Sequence, residues 1–388
     1  MGNRILKDSN LYIIFGITLF AVMGVASITP AFPQVIKHYG LTARQIGYLI
    51  TVFTLPGIFK TPFLGILADR IGRKTILIPS MVLFGVAGFL CVFQKSYEGL
   101  LAMRFFQGIG AASLGSLNVT IIGDIWNGER RVKAMGYNAS VLSIGTASFP
   151  AIGGVLAAFD WRFAFALPVL ILPLTLTVGL KLKTPGVSNH ISLKEYLGNV
   201  WKIVNRKKAW GLFITNILVF IILYGAFLSF FPLLMEERFG ADSIIIGVTM
   251  SLASVTTALF SSRLGWARKK YRAHTLLIFS SVVYTISLIV LSFAVNWPLL
   301  ITAIVLFGVA HGFFLPNIQT ILVGLAPLSE RAAFMALNGM ILRIGQTLGP
   351  VMAALFYINQ NLQPVFLFSA IIGVVMVIII KTMVGKLE

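Results

Sequence analysis

The sequence predicts an all-α polytopic membrane protein of 12 transmembrane helices, arranged as two pseudo-symmetric six-helix bundles with both termini on the inner side (N-in/C-in). Three observations carry this expectation. The first is composition: 57% of the 388 residues are hydrophobic and 11% charged, with mean hydropathy +0.91, whereas a soluble domain carries about 25% charged residues. Such a chain has too few polar groups to cover a water-facing surface, so lipid is the solvent for most of it. The second is a series of twelve apolar runs. The third is a repeat of short motifs at an offset of 200.

The runs fall at about 11–33, 43–66, 75–94, 99–123, 135–157, 162–180, 210–233, 243–262, 274–295, 298–325, 331–358 and 363–384. Each is long enough to cross a hydrocarbon core of about 30 Å at a rise of about 1.5 Å per residue. The first follows Arg4 and Lys7 as a signal peptide would, but it lacks a cleavage-like end and eleven more runs follow, so it reads as a retained helix. Several runs contain proline (Pro56, Pro62, Pro150, Pro316 and Pro350), which membrane helices tolerate.

Orientation follows from the basic residues. Of 31 Lys and Arg, the segments outside an N-in chain hold only Lys37, Arg44, Lys95, Arg162 and Arg238, and Arg104 and Arg343 lie inside helices. The remainder fall on inner segments, as the positive-inside rule requires. The net charge of +19 therefore reads as loop retention and not as nucleic-acid binding, for which no soluble segment is large enough. Cys91 is the only cysteine, which excludes an internal disulfide and a Cys-based metal cluster. No cofactor or metal is expected. The partners expected are a small-molecule substrate, protons and the lipid bilayer, with the chain a monomer in a bacterial cytoplasmic (inner) membrane.

The longest polar stretch divides the chain into 1–183, a linker at 184–209 and 210–388. Within the linker, 192–204 reads as an amphipathic helix at the inner membrane surface. Across the linker, His38-Tyr-Gly40 and Ile46-Gly47 are echoed by Arg238-Phe-Gly240 and Ile246-Gly247. Gly145 and Pro150 are echoed by Gly345 and Pro350, and Pro33 by Pro232. Two like-oriented halves imply a substrate site between them near the midplane.

The turn after span 2 reads Gly65-Ile-Leu-Ala-Asp69-Arg70-Ile-Gly72-Arg73-Lys74, and Asp124 lies at the inner end of span 4. Spacing alone allows either a gating contact or a solvated basic turn. With its neighbours, the segment resembles motif A of the major facilitator superfamily. Leu101-Ala-Met-Arg104-Phe-Phe-Gln107-Gly108-Ile-Gly110 resembles motif B. Gly145, Pro150, Gly153 and Gly154, with Gly136, resemble the antiporter motif C, and Pro30-Ala-Phe-Pro33 resembles a further motif of the same exporters. Together they resemble the twelve-helix drug:proton antiporter family of multidrug efflux type, over the whole chain. Phe149 replaces the glycine that normally precedes the proline of motif C, and the second-half counterpart Ser262–Lys270 lacks the acid of motif A.

The resemblance implies a secondary transporter, not an enzyme. In it Gly65, Asp69, Arg70, Gly72, Arg73, Lys74 and Asp124 gate the inner side. Gly145, Pro150, Gly153 and Gly154 govern the packing of helix 5, and Arg104 takes part in proton coupling. All twelve acids fall in loops or at helix ends, while Arg104 and Arg343 lie inside helices, where an arginine costs about 2.5–3.5 kcal/mol on insertion scales. Arg104 is read either as structural or as a coupling residue. Arg343 is read either as a packing residue or as a substrate-anion clamp, since guanidinium binds carboxylate or phosphate bidentately. His311 is the only mid-helix group that titrates near neutral pH; it is either a helix-helix hydrogen-bonder or a protonation site. Asn118, Asn138, Asn216, Tyr224 and Gln346 are candidate cavity residues, with interhelical bonding as the alternative. The expected function is proton-coupled efflux of small amphipathic compounds by alternating access. The alternative is export of one anionic metabolite such as a siderophore, organic acid or sugar derivative.

Overall fold

The computed structural model describes residues 6–182, 184, 207–325 and 331–385. They form helices α1 (Ser9–Tyr39), α2 (Tyr48–Ile71), α3 (Arg73–Phe93), α4 (Tyr97–Ile125), α5 (Gly128–Phe159), α6 (Trp161–Lys181), α7 (Lys207–Phe239), α8 (Ser243–Ser262), α9 (Ala273–Ser292), α10 (Trp297–Leu325), α11 (Arg331–Leu355) and α12 (Gln363–Val384). Ten of these, all but α2 and α11, are long and apolar enough to cross a membrane. The other two are comparable in length, at 24 and 25 residues. The segment expected to lie at the membrane surface, 192–204, is outside the described residues.

Most helices coincide with the apolar runs, but α2 (48–71) lies five residues beyond the expected 43–66, whose start is a separate short helix, Ala43–Ile46, and three others overrun their runs. α1, α5 and α7 have 31, 32 and 33 residues, or about 46–50 Å, well beyond a hydrocarbon core of about 30 Å. Hydropathy marks where lipid begins, whereas the hydrogen-bond ladder continues into polar sequence: Lys37-His38-Tyr39 in α1, Gly128–Lys133 in α5, Glu236-Glu237-Arg238 in α7. Two of these extensions end alike. Gly40 and Gly240 cap α1 and α7 in the left-handed region, at φ 64° and 59°, which only glycine adopts without strain. Each helix is also broken before its proline, α1 by a tight turn at Thr29–Ala31 and α7 by a π-helical stretch at Ile222–Phe230, as expected where proline withholds a backbone donor. The repeat at offset 200 is thus a repeat of local geometry.

The first six and last six helices meet along two seams, α2 against α11 and α5 against α8. Glycine sets the closeness of both. A methyl group on Gly47 would lie 2.9 Å from Pro350 Cβ, and one on Gly247 would lie 2.3 Å from the Pro150 carbonyl oxygen. These are the same two positions of the repeat, exchanged between the halves.

Candidate functional site

At the end where the termini lie, the turn between α2 and α3 is Gly72 alone, at φ 101°. This sharp reversal brings Arg73 against α4, where its Nε donates to Asp124 Oδ2 at 3.0 Å. Lys74 donates to the Gly179 carbonyl of α6 at 2.8 Å, and Arg70 is exposed. Gly65 and Asp69 lie on α2, with side chains outside the described residues. In the second half the turn makes a contact with a neutral side chain instead: Arg268, between α8 and α9, donates to Asn317 Oδ1 at 2.7 Å.

Deeper in, each half contains a chain of three polar side chains, all buried except the half-buried Gln319. In the first, Asn118 of α4 donates to the Thr18 hydroxyl of α1, and Thr18 donates to Asn138 Oδ1 of α5 at 2.5 Å. In the second, Asn216 of α7 donates to Asn338 Oδ1 of α11 at 2.8 Å, and Asn338 donates to Gln319 Oε1 of α10 at 2.9 Å. In both, one carbonyl oxygen is buried without a donor, that of Asn118 and that of Asn216. Asn138 and Asn338 stand at offset 200. The repeat was thus an available signal for Asn338 that the sequence reading did not use, while Thr18 gave no signal because a lone threonine in a span is common.

Arg104 is fully buried. Its Nε donates to the Leu49 carbonyl of α2 at 3.2 Å and its Nη1 to Gln107 Oε1 at 2.6 Å, while its carbon centre stands 4.2 Å from the centre of the Phe53 ring. The Nη2 group has no partner. Gly108 and Gly110 let α4 approach α2 and α3 closely enough for this, since a methyl group there would fall 2.0 Å from the Phe53 carbonyl oxygen and 2.6 Å from the Phe84 amide nitrogen. His311 shares a hydrogen bond with Tyr284 of α9 through Nδ1 and stacks on Phe307. Because α9 packs on α10 and α12, His311 faces away from the seams. Arg104 and His311 share no contact residue.

Arg343 lies on the α2–α11 seam. Its stem lies 3.0 Å from where a methyl group on Gly57 would sit, and its Nη1 donates to Gln346 Oε1 at 3.1 Å. The Tyr224 hydroxyl of α7 is near enough to interact with its charge. Among the described residues no carboxylate pairs with it. Among the described residues acids occur only at or near helix ends: Asp8, Asp69, Glu98, Asp124, Glu129, Asp160, Glu236, Glu237 and Asp242.

Among the described residues, bonds between the halves cluster at the end opposite the one where α1 begins and α12 ends. Lys37 of α1 pairs with Glu236 of α7, and Arg44 donates two hydrogen bonds to the Tyr357 carbonyl, at 3.1 and 2.8 Å. Thr51 donates to the Thr347 carbonyl at 3.1 Å, and the Thr54 and Thr347 hydroxyls are 2.9 Å apart. On the other seam the Ala151 amide donates to the Ser251 hydroxyl at 3.1 Å. Two glycines here make close backbone approaches: a methyl group on Gly154 would lie 2.2 Å from the Ser243 carbonyl oxygen across the α5–α8 seam, and one on Gly153 would lie 1.8 Å from the Ser27 carbonyl oxygen within the first half. Gly145 packs against Leu19 and Val22 of α1.

Long apolar helices, two repeated units and paired seams define a multi-pass membrane transporter. The family model described as Major Facilitator Superfamily matches residues 14–266 and 218–385, and the chain belongs to that superfamily. It is 25% identical over 389 residues to the quinolone resistance protein NorA of Staphylococcus aureus, covering 98% of this chain and 96% of that protein. It is 24% identical over 379 residues to the bacillibactin exporter of Bacillus subtilis (strain 168), covering 94% of each. Its fold is similar to a bacterial homolog of the human lysosomal transporter Spinster in an inward-facing, occupied conformation, with TM-score 0.83, 15% identity, and coverage of 100% and 98% of the two chains. It is also similar to a D-xylose-proton symporter, with TM-score 0.80, 14% identity and 98% coverage of each.

Proposed function

We propose that this chain is a proton-coupled exporter of small amphipathic compounds in a bacterial inner membrane. In this reading all twelve helices cross the bilayer with both termini inside, and residues 1–183 rock against 210–388, joined by the linker 184–209. The observation that supports alternating access is the clustering, among the described residues, of inter-half bonds at one end, across Lys37–Glu236, Arg44–Tyr357 and Thr54–Thr347. It is the arrangement of a transporter closed on the outer side with its central site turned inward. Gly145, Pro150, Gly153 and Gly154 seal that closure, and Arg73 and Asp124, with Asp69, Arg70 and Lys74, control the inner side. Efflux is supported by the relatives, one a quinolone resistance protein and one a bacillibactin exporter. Coupling is assigned to Arg104. Its unpartnered Nη2 leaves a place for an acceptor, and His311, bonded to Tyr284, is the second titratable candidate.

Arg343 supports a second reading, export of an anionic metabolite. Half-buried on the seam, it has only Gln346 as a hydrogen-bond partner and no carboxylate to neutralise it among the described residues. A cation so placed favours neutral or anionic compounds, with Asn118, Asn138, Asn216, Tyr224 and Gln346 completing the site. The two readings separate in inside-out vesicles under an imposed proton gradient, using cationic, neutral and anionic compounds with wild type and Arg343→Gln. Cation accumulation that the variant leaves intact supports the multidrug reading. Movement of anions alone, reduced at least tenfold in the variant, supports the second. Absence of gradient-driven accumulation of any compound by wild type would overturn both.

A further inference from the structure

From Ser243 to Ser329 the chain contains no acidic residue, yet it holds Arg263, Arg268, Lys269, Lys270 and Arg272 within ten positions. They surround a short helix, Leu264–Lys270, that joins α8 to α9. The segment is firmly held on its inner face: Ala267 is buried with Leu276 and Phe313, and Arg268 is bonded to Asn317, which in turn donates to the Ala273 carbonyl at 2.9 Å. Its outer face is different. Trp266 is 65% exposed and Tyr271 44%. Lys270 Nζ lies 5.6 Å from the centre of the Tyr271 ring. Arg263, Lys269, Lys270 and Arg272 are exposed, with no carboxylate partner among the described residues.

The corresponding turn of the first half is neutralised from within, because Arg73 meets Asp124. Here the cation that turns inward, Arg268, meets an amide, Asn317, and the positive charge has no internal counterpart among the described residues. Exposed indole and phenol rings beside uncompensated cations match one environment, the headgroup layer of a membrane carrying anionic lipid. We infer that the Arg263–Arg272 segment is a docking site for an anionic phospholipid headgroup. Lys269, Lys270 and Arg272 engage the phosphate, and Trp266 and Tyr271 lie in the interfacial layer. The inference rests on the membrane reading and is independent of what is transported.

Each cation near an anionic surface strengthens binding by about fivefold at low salt. Removing three therefore predicts phosphatidylglycerol affinity lower by on the order of 100-fold. The full chain, purified in a neutral detergent, is titrated with phosphatidylglycerol and with phosphatidylcholine, and bound lipid is counted by native mass spectrometry. Wild type is compared with Lys269→Gln/Lys270→Gln/Arg272→Gln and with a control of equal charge loss at the same end, Arg130→Gln/Arg131→Gln/Lys133→Gln. The expected result is selective phosphatidylglycerol binding by wild type and by the control, lost in the first variant and weakened in Trp266→Ala. Equal loss in both triple variants shows diffuse attraction and overturns the site. Displacement of the lipid by inorganic phosphate at matched ionic strength shows a free-anion site and overturns the lipid assignment. Should the first variant not assemble, Trp266→Ala and wild-type binding at rising salt decide, and salt-independent retention refutes the proposal.

Discussion

At the scale of single residues, buried amides join different helices side chain to side chain within each half. Asn338 is the middle member of its chain, accepting from Asn216 and donating to Gln319. Interhelical hydrogen bonds within membranes are worth about 0.6 kcal/mol each, so Asn338→Ala should destabilise the fold by roughly 1 kcal/mol. Thermal unfolding in detergent should show this as a melting point lower by a few degrees, and an unchanged value would mean the chain of amides carries no energy. The sequence made these residues visible only as isolated polar letters within apolar runs. What it left out was direction: nothing in the letters distinguishes His311, turned to Tyr284 and α9, from Arg343, turned to the α2–α11 seam. Direction depends on which face of each helix is buried by which neighbour, and a helix that is apolar all round leaves that face unmarked.

Elements were far more legible, because lipid imposes helix on any apolar run of sufficient length. The misjudged parts were the placement of α2 and the ends of α1, α5 and α7, where helix outlasts hydropathy. The motif C glycines were legible as glycines, and the structure supplies the reason for them. A methyl group on Gly154 would stand 2.2 Å from the Ser243 carbonyl oxygen, and backbone atoms cannot swing aside as a side-chain tip can. Gly154→Ala should therefore hold α5 away from α8 and weaken the closed end. A thiol pair placed at Lys37 and Glu236, in a Cys91→Ser background, reports that closure through the yield of a short bifunctional crosslinker. The yield should fall severalfold with Gly154→Ala and stay constant with Gly136→Ala, since a methyl group on Gly136 would meet nothing within 4 Å. Equal yields in the two variants would remove Gly154 from the seal.

At the scale of the molecule, the offset of 200 is the deepest regularity. It pairs Gly40 with Gly240 as caps, crosses Gly47 and Pro150 with Pro350 and Gly247 at the seams, and departs from symmetry where Asp124 is matched by Gly324. Symmetric seams with asymmetric inner turns suit two bodies that hinge on matched surfaces while only one side is gated by charge. Such a machine stops if one seam is fixed. The Thr54 and Thr347 hydroxyls are 2.9 Å apart, so the two side chains face each other across the seam and a disulfide between these positions can be tested, with Cys91, the only native cysteine, changed to serine. Thr54→Cys/Thr347→Cys in Cys91→Ser vesicles should lose transport on oxidation, at least tenfold, and regain it on reduction. Substrate binding from the side bearing the termini should survive the lock, because the site stays turned that way. If the oxidised protein still transports at the reduced rate, the α2–α11 seam does not open during turnover, and alternating access about it is wrong.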